Sequence, residues 1–169
     1  MEPTRQSIPR RAAHPQRWTH STGALDMDSE RRLDRQDLLL RLKYGSTAWN
    51  LWRQDEPDVA IDLDGAPLDG LILTGINFAG VSLRGASLHA TNLMNADLRR
   101  ADLTGANLEE ADLIAANLEG AILIGCNMRE ADLLGAEITG AQYSPEDLTG
   151  ALHVPQAGIG DAAANQRGR

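Results

Sequence analysis

Ala96-Asp97-Leu98-Arg99-Arg100, Ala101-Asp102-Leu103-Thr104-Gly105, Ala106-Asn107-Leu108-Glu109-Glu110 and Ala111-Asp112-Leu113-Ile114-Ala115 are one five-residue unit written four times in succession. The period holds from Ile61 to about Pro145, seventeen units in all, and it outranks any local propensity. With the central position written i, thirteen units carry Leu there, and Phe78, Met128, Ile138 and Tyr143 fill the other four. Position i−2 is Ala in eleven units, the exceptions being Ile61, Leu71, Ile76, Val81, Thr91 and Cys126. A helix cannot use this pattern: at 100° per residue every fifth position advances by about 140°, and the leucines would spiral around the axis. Extended chain can, because its side chains alternate and i−2 and i then share a face.

Each unit must turn before the next begins. Position i+2 is Gly in ten units, the residue that adopts corner backbone angles at least cost. Four corners close a square, so the sequence predicts an all-β solenoid, a quadrilateral parallel β-helix of about four coils with 20 residues per coil. Strands stacked about 4.8 Å apart make it roughly 20 Å long. Its predicted interior includes Leu63, Phe78, Leu98, Leu113, Leu118, Met128 and Ile138. At about 1.5 to 3 kcal/mol per buried side chain, the i column supplies tens of kcal/mol against chain entropy. No cofactor is needed to fold it, and none is expected.

The A(D/N)LxG units resemble those of the pentapeptide-repeat family, and the resemblance implies that the β-helix is right-handed. The segment LLLRLKYGSTAWNLWR, with Gly-x-x-x-Trp-Asn-x-Trp-Arg from Gly45 to Arg53, is similar to the leader preceding the repeats in many cyanobacterial members. The motif encodes a scaffold and implies no particular activity.

The chain outside the repeats divides by composition. Residues 1–27 hold Pro3, Pro9 and Pro15 with Arg5, Arg10, Arg11 and Arg17, and read as a disordered basic arm that is solvated or serves as a docking or targeting tail. Residues 28–60 read as a helical N-terminal cap: one helix from Asp28 or Ser29 to Gly45, and a second capped by Ser46 and ended by Pro57. The open end of a β-solenoid exposes strand edges and a leucine column that must be covered. Tyr44, Trp49 and Trp52 are the expected lid. The repeats span 61–145. A C-terminal capping turn over 146–154 starts at Ser144-Pro145-Glu146-Asp147, with Leu148 belonging either to that turn or to a degenerate eighteenth repeat, and 155–169 read as a disordered tail.

Charge and motif content narrow the function. The repeats hold twelve acids against four arginines, a net of −8, so the flanks together are neutral and nonspecific nucleic-acid binding by the rod is not expected. One cysteine, Cys126, excludes a disulfide framework and fills a small buried slot. No apolar run reaches the ~20 residues of a membrane span, and the N-terminus lacks the apolar region of a secretory signal; the cytoplasm is the expected location. The aspartates at i−1 (97, 102, 112, 132) and the asparagines (77, 92, 107, 117, 127) suit backbone bonding at turns better than paired-carboxylate catalysis. No nucleophile set, P-loop or metal spacing accompanies them or His89, so an enzyme is not expected.

Residues 20 apart stack, so each outward column can be read as a surface. The second face reads Asp69, His89, Glu109, Arg129, a charge ladder. The third reads Thr74, Met94, Ile114, Leu134, with Ile72 at its base, where an inert rod would be polar. Ile122 and Ile124 form a smaller pair on the opposite first face. A stripe of this kind marks a contact site, covered either from within by the N-terminal arm or first helix or by a partner, foreign or a second copy forming a homodimer. The expected function is a non-enzymatic protein-interaction scaffold with Ile72, Met94, Ile114 and Leu134 as candidate face. The alternative, from the family resemblance, is a DNA mimic regulating gyrase or topoisomerase IV. Duplex DNA would carry about twelve charges over 20 Å, and Arg84, Arg99, Arg100 and Arg129 interrupt the acidic surface.

Overall fold

The computed structural model describes residues 34–155. The readings of 1–27 as a basic arm and of the tail beyond Pro155 lie outside them. From Asp62↔Ser82 to Asp132↔Leu152 the repeats pair in parallel at a constant register of 20 residues. Each side of a coil contributes one bridging residue, always i−1, and not the longer strand that alternation alone suggests. The reason is the corner. In Leu63–Ala66 the Ala66 N–H donates to the Leu63 carbonyl at 3.0 Å while Gly65 takes φ +63°, the pattern of a type II turn, and this leaves only the middle of each unit extended.

All sixteen corner residues from Gly65 to Gly140 have positive φ, and six of them are not glycine: Ala90, Asn95, Arg100, Glu110, Ala115 and Glu130, at 53° to 59°. Left-handed backbone costs a residue with a Cβ about 1–2 kcal/mol. The ladder holds it there: Ala115 N–H donates to the Leu134 carbonyl at 2.9 Å, and the next residue, Ala116, closes the turn onto Leu113 at 3.0 Å. Position in the repeat, more than residue type, sets the corner geometry.

The interior is one apolar cluster. Leu63, Phe78, Leu98, Leu113, Leu118, Met128 and Ile138 are all buried, floored by the i−2 alanines. The two polar i−2 residues find the same kind of partner: Thr91 Oγ1 donates to the Leu68 carbonyl at 2.8 Å and Cys126 Sγ to the Leu103 carbonyl at 2.9 Å.

Two helices close the N-terminal end, α1 (Arg35–Leu42) and α2 (Gly45–Asp55). The described helix carrying the leucines begins at Arg35 with Asp34 as N-cap, its carboxylate accepting from Gln36 N–H, and the start expected at Asp28 or Ser29 lies outside the described residues. Ser46, expected to cap the second helix, does not do so, because Gly45, at φ +83°, turns the chain between the helices and is itself the first residue of α2. Trp49 is fully buried, edge-to-face with Phe78 (centroids 5.4 Å) and with Trp52 (5.1 Å), and the Arg41 guanidinium lies 4.7 Å from the Trp52 ring centroid. Tyr44 is not part of the lid: it stands at the bend between the helices and is 67% exposed.

At the other end Pro145 occupies the seventeenth corner. Its ring fixes φ near −65°, which forbids the left-handed turn, and a 3-10 helix (Pro145–Leu148) replaces the fifth side of that column. Asp147 secures it, Oδ2 accepting from Ser144 N–H at 2.7 Å and Oδ1 from Gly125 N–H at 3.0 Å. The chain regains the ladder at Gly150 and Leu152, bonded to Glu130, Leu133 and Ala131, so part of the segment expected as a cap stacks as a further coil.

Candidate interaction face

The four sides are numbered by their first central residues, Leu63, Leu68, Leu73 and Phe78. On face three the bridges Ile72↔Asn92, Asn92↔Asp112, Asp112↔Asp132 and Asp132↔Leu152 form the i−1 column. The i+1 column beside it is Thr74, Met94, Ile114 and Leu134, joined layer to layer through backbone bonds such as Asn95 N–H to the Ile114 carbonyl, 2.9 Å. Ile72 is 77% and Leu134 52% exposed, while Met94 and Ile114 are half-buried. Helix α1 does not cover the stripe: Leu38 and Leu42 are buried in the cluster that closes the end of the core. On face one Ile124 is 47% exposed and Ile122 half-buried.

The i−1 side chains have a structural task. In unit after unit the Asp or Asn Oδ1 accepts from the N–H two residues on: Asn92 from Met94 (3.1 Å), Asp112 from Ile114 (3.1 Å), Asp132 from Leu134 (2.9 Å). Asp97 also receives two bonds from the Arg99 guanidinium, at 2.9 and 2.7 Å, which holds its carboxyl below the usual range; the Arg99 backbone N–H and the Arg53 charge act in the same direction. His89 lies 3.9 Å from Glu110, and His153 is bonded to Asp132 at 2.8 Å. Burial pushes the Cys126 thiol up to about 12, a closed and unreactive setting. Among the described residues no group of three His, Cys, Asp or Glu is placed to hold a metal ion, and no helix is long and apolar enough to cross a membrane.

Two sets of residues escape a reading of the sequence alone. Asn50 and Arg53, together with the Trp49 indole N–H, bond the exposed backbone edge of the first coil. Asn50 Nδ2 donates to the Gly75 carbonyl (2.8 Å) and its Oδ1 accepts from Asn77 N–H (2.7 Å); Trp49 Nε1 donates to the Asn77 carbonyl and Arg53 Nη2 to the Ala79 carbonyl, both at 2.8 Å. The Asn77 N–H and the Asn77 and Ala79 carbonyls thus find side chains where a preceding coil would have supplied backbone. The second set is the margin of face three: Glu110 and Glu130 at the corner leading into it, Asp112 and Asp132 in its i−1 column. Reading the i−1 and i+2 columns as well as i+1 would have found them.

A 20-residue coil closed by four positive-φ turns defines a parallel β-solenoid built from pentapeptides. Comparison with protein-family models agrees: the model described as pentapeptide repeats, in 8 copies, matches residues 61–100, 91–129 and 111–142. A solved pentapeptide repeat protein from Nostoc Pcc 7120 is 32% identical with a TM-score of 0.54, the match covering 61% of this chain and 84% of that one. The chain belongs to the pentapeptide-repeat family. A pentapeptide repeat protein from the Arabidopsis thaliana thylakoid lumen is 27% identical (TM-score 0.48; 52% of this chain, 61% of that one). HetL, a pentapeptide repeat protein involved in heterocyst differentiation regulation in Nostoc, is 40% identical (TM-score 0.26; 53% and 44%), so this chain spans less than two thirds of the length of either. No curated protein matches the chain in a sequence search.

Proposed function

We propose that this protein is a non-enzymatic interaction scaffold whose rigid, right-handed quadrilateral β-helix presents face three to a protein partner in the cytoplasm. The observation that carries this reading is the stacked column Met94, Ile114, Leu134 with Ile72 at its foot, apolar in positions where the other faces carry mainly Asp, Arg, Glu and Thr. The polar i−1 groups beside it accept from turn N–H groups, which suits a surface and not a reaction centre. Membership of the family supports the architecture on which that surface is built.

The test is Ile114→Glu. It places a carboxylate in the middle of the stripe, at a half-buried outward position, so an apolar contact is lost, and circular dichroism checks that the variant keeps the coil. Capture of partners from the source cell, with light scattering of the purified protein for self-association, should show loss of the bound species. Unchanged partners and unchanged mass would remove face three as a binding surface.

A further inference from the structure

We infer that face three takes a cationic amphipathic helix of a partner protein, an inference that rests on its being the interaction surface.

The charge pattern carries it. The four arginines of the rod all stand elsewhere: Arg84 on face one, Arg129 on face two, Arg99 on face four and Arg100 at the corner between four and one. Three of them are paired on their own faces, Arg84 with Asp102 (2.9 Å), Arg99 with Asp97 (2.7 Å) and Arg129 with Glu109 (4.0 Å). Face three and its leading corner hold Glu110, Asp112, Glu130 and Asp132 with no lysine or arginine among the described residues there. Histidines reach two of them, His89 at Glu110 and His153 at Asp132, while Arg129, next to Glu130 in the chain, turns to Glu109 on face two. In the layers of Ile114 and Leu134 the order across the face is therefore acid at the corner (Glu110, Glu130), acid at i−1 (Asp112, Asp132), apolar at i+1, and small at the far corner (Ala115, Gly135); the Met94 layer is uncharged, with Ala90 at the corner and Asn92 at i−1. A complementary ligand is apolar along one line and cationic along the line beside it.

Spacing selects a helix. Coils stack about 4.8 Å apart, and helix residues three or four apart rise about 4.5 or 6 Å. Apolar positions at i, i+3 or i+4, and i+7 of a helix running along the rod axis meet Met94, Ile114 and Leu134 in turn, and Lys or Arg on the adjoining helix flank meets the acids. A second copy of this chain is a poor occupant, since it brings the same acids.

The test is selection of displayed random peptides of about 15 residues, long enough for four helical turns, on the full-length protein at low salt. Enriched peptides should carry net positive charge with apolar residues three and four apart. They should lose binding to Ile114→Glu and weaken roughly tenfold on E110Q/D112N/E130Q and on raising the salt. In that triple variant the amide that D112N introduces retains an Oδ1 to accept from Ile114 N–H, as Asn92 does from Met94, so the turn survives. Enrichment of neutral or acidic peptides that still lose binding to Ile114→Glu would overturn the cationic partner and leave the interaction face standing. A wild-type dimer split by Ile114→Glu would do the same, with a second copy as occupant. No enrichment would also overturn it. Peptides binding wild type and Ile114→Glu alike would sink both readings.

Discussion

Ala115 and Gly135 occupy the same corner in adjacent coils, one with a Cβ at φ +56° and one without at φ +68°. A Cβ built on Gly135 meets nothing within 4 Å, so Gly135→Ala carries no steric term. What remains is the left-handed backbone, about 1–2 kcal/mol, less about 0.4–1 kcal/mol regained because alanine restricts the unfolded chain. The net is about 1 kcal/mol of destabilisation. Ala115→Gly runs the same cycle backwards and should stabilise by a similar amount. Urea unfolding followed by circular dichroism reads both, and thermal midpoints should shift by roughly 4 °C in opposite directions. If both substitutions destabilise, the Ala115 methyl is needed for packing; if neither moves the midpoint, the corners relax and residue position does not impose their geometry.

Three further outcomes follow from the caps and the titrating groups. Asn50→Ala frees the Asn77 N–H and the Gly75 carbonyl, and should cost about 1–3 kcal/mol with faster hydrogen exchange confined to the first coil; uniform protection would refute the edge-mending role. Asp97 is held low first by Arg99, Asp132 first by Leu134 N–H and then by His153, and Glu137 by Thr139. Depressed carboxyls stabilise the fold fully above their ordinary values near pH 4 and lose that stabilisation as pH falls below them, so urea midpoints should drop from about pH 5 to pH 2, less steeply for Asp97→Asn. A midpoint flat over that range would contradict these bonds. Cys126, its thiol raised to about 12, should resist iodoacetamide at pH 8 until urea is added, and Cys126→Ser should keep a bond to Leu103 like the one Thr91 makes to Leu68. Rapid labelling of the folded protein would contradict the closed setting.

The coil was legible in the sequence because every unit votes on it: Leu at i, Ala at i−2 and Gly at i+2 each fix one element of a 20-residue turn. Asp and Asn at i−1 declared their role through short side chains that reach a nearby N–H. The corners at Arg100, Glu110 and Glu130 were less visible, since left-handed backbone is imposed there by the neighbouring coils and not by the residue. Asn50 and Arg53 were missed because their partners lie 25 to 27 residues away and are backbone groups, which leave no mark on composition. Tyr44 misled because an aromatic beside two tryptophans suggests a shared lid, whereas the Gly45 bend leaves it largely exposed. The apolar stripe is visible in the i+1 column alone; its acidic margin needs three columns read together.

The most direct test of face three sets two outward carboxylates against each other, Ile114→Glu on that face and Ile124→Glu on the opposite face one, in capture of partners from the source cell. A binding face three predicts that Ile114→Glu loses the captured protein while Ile124→Glu keeps it, with both variants folded by circular dichroism. Capture that survives Ile114→Glu, or that is lost only with Ile124→Glu, would contradict it.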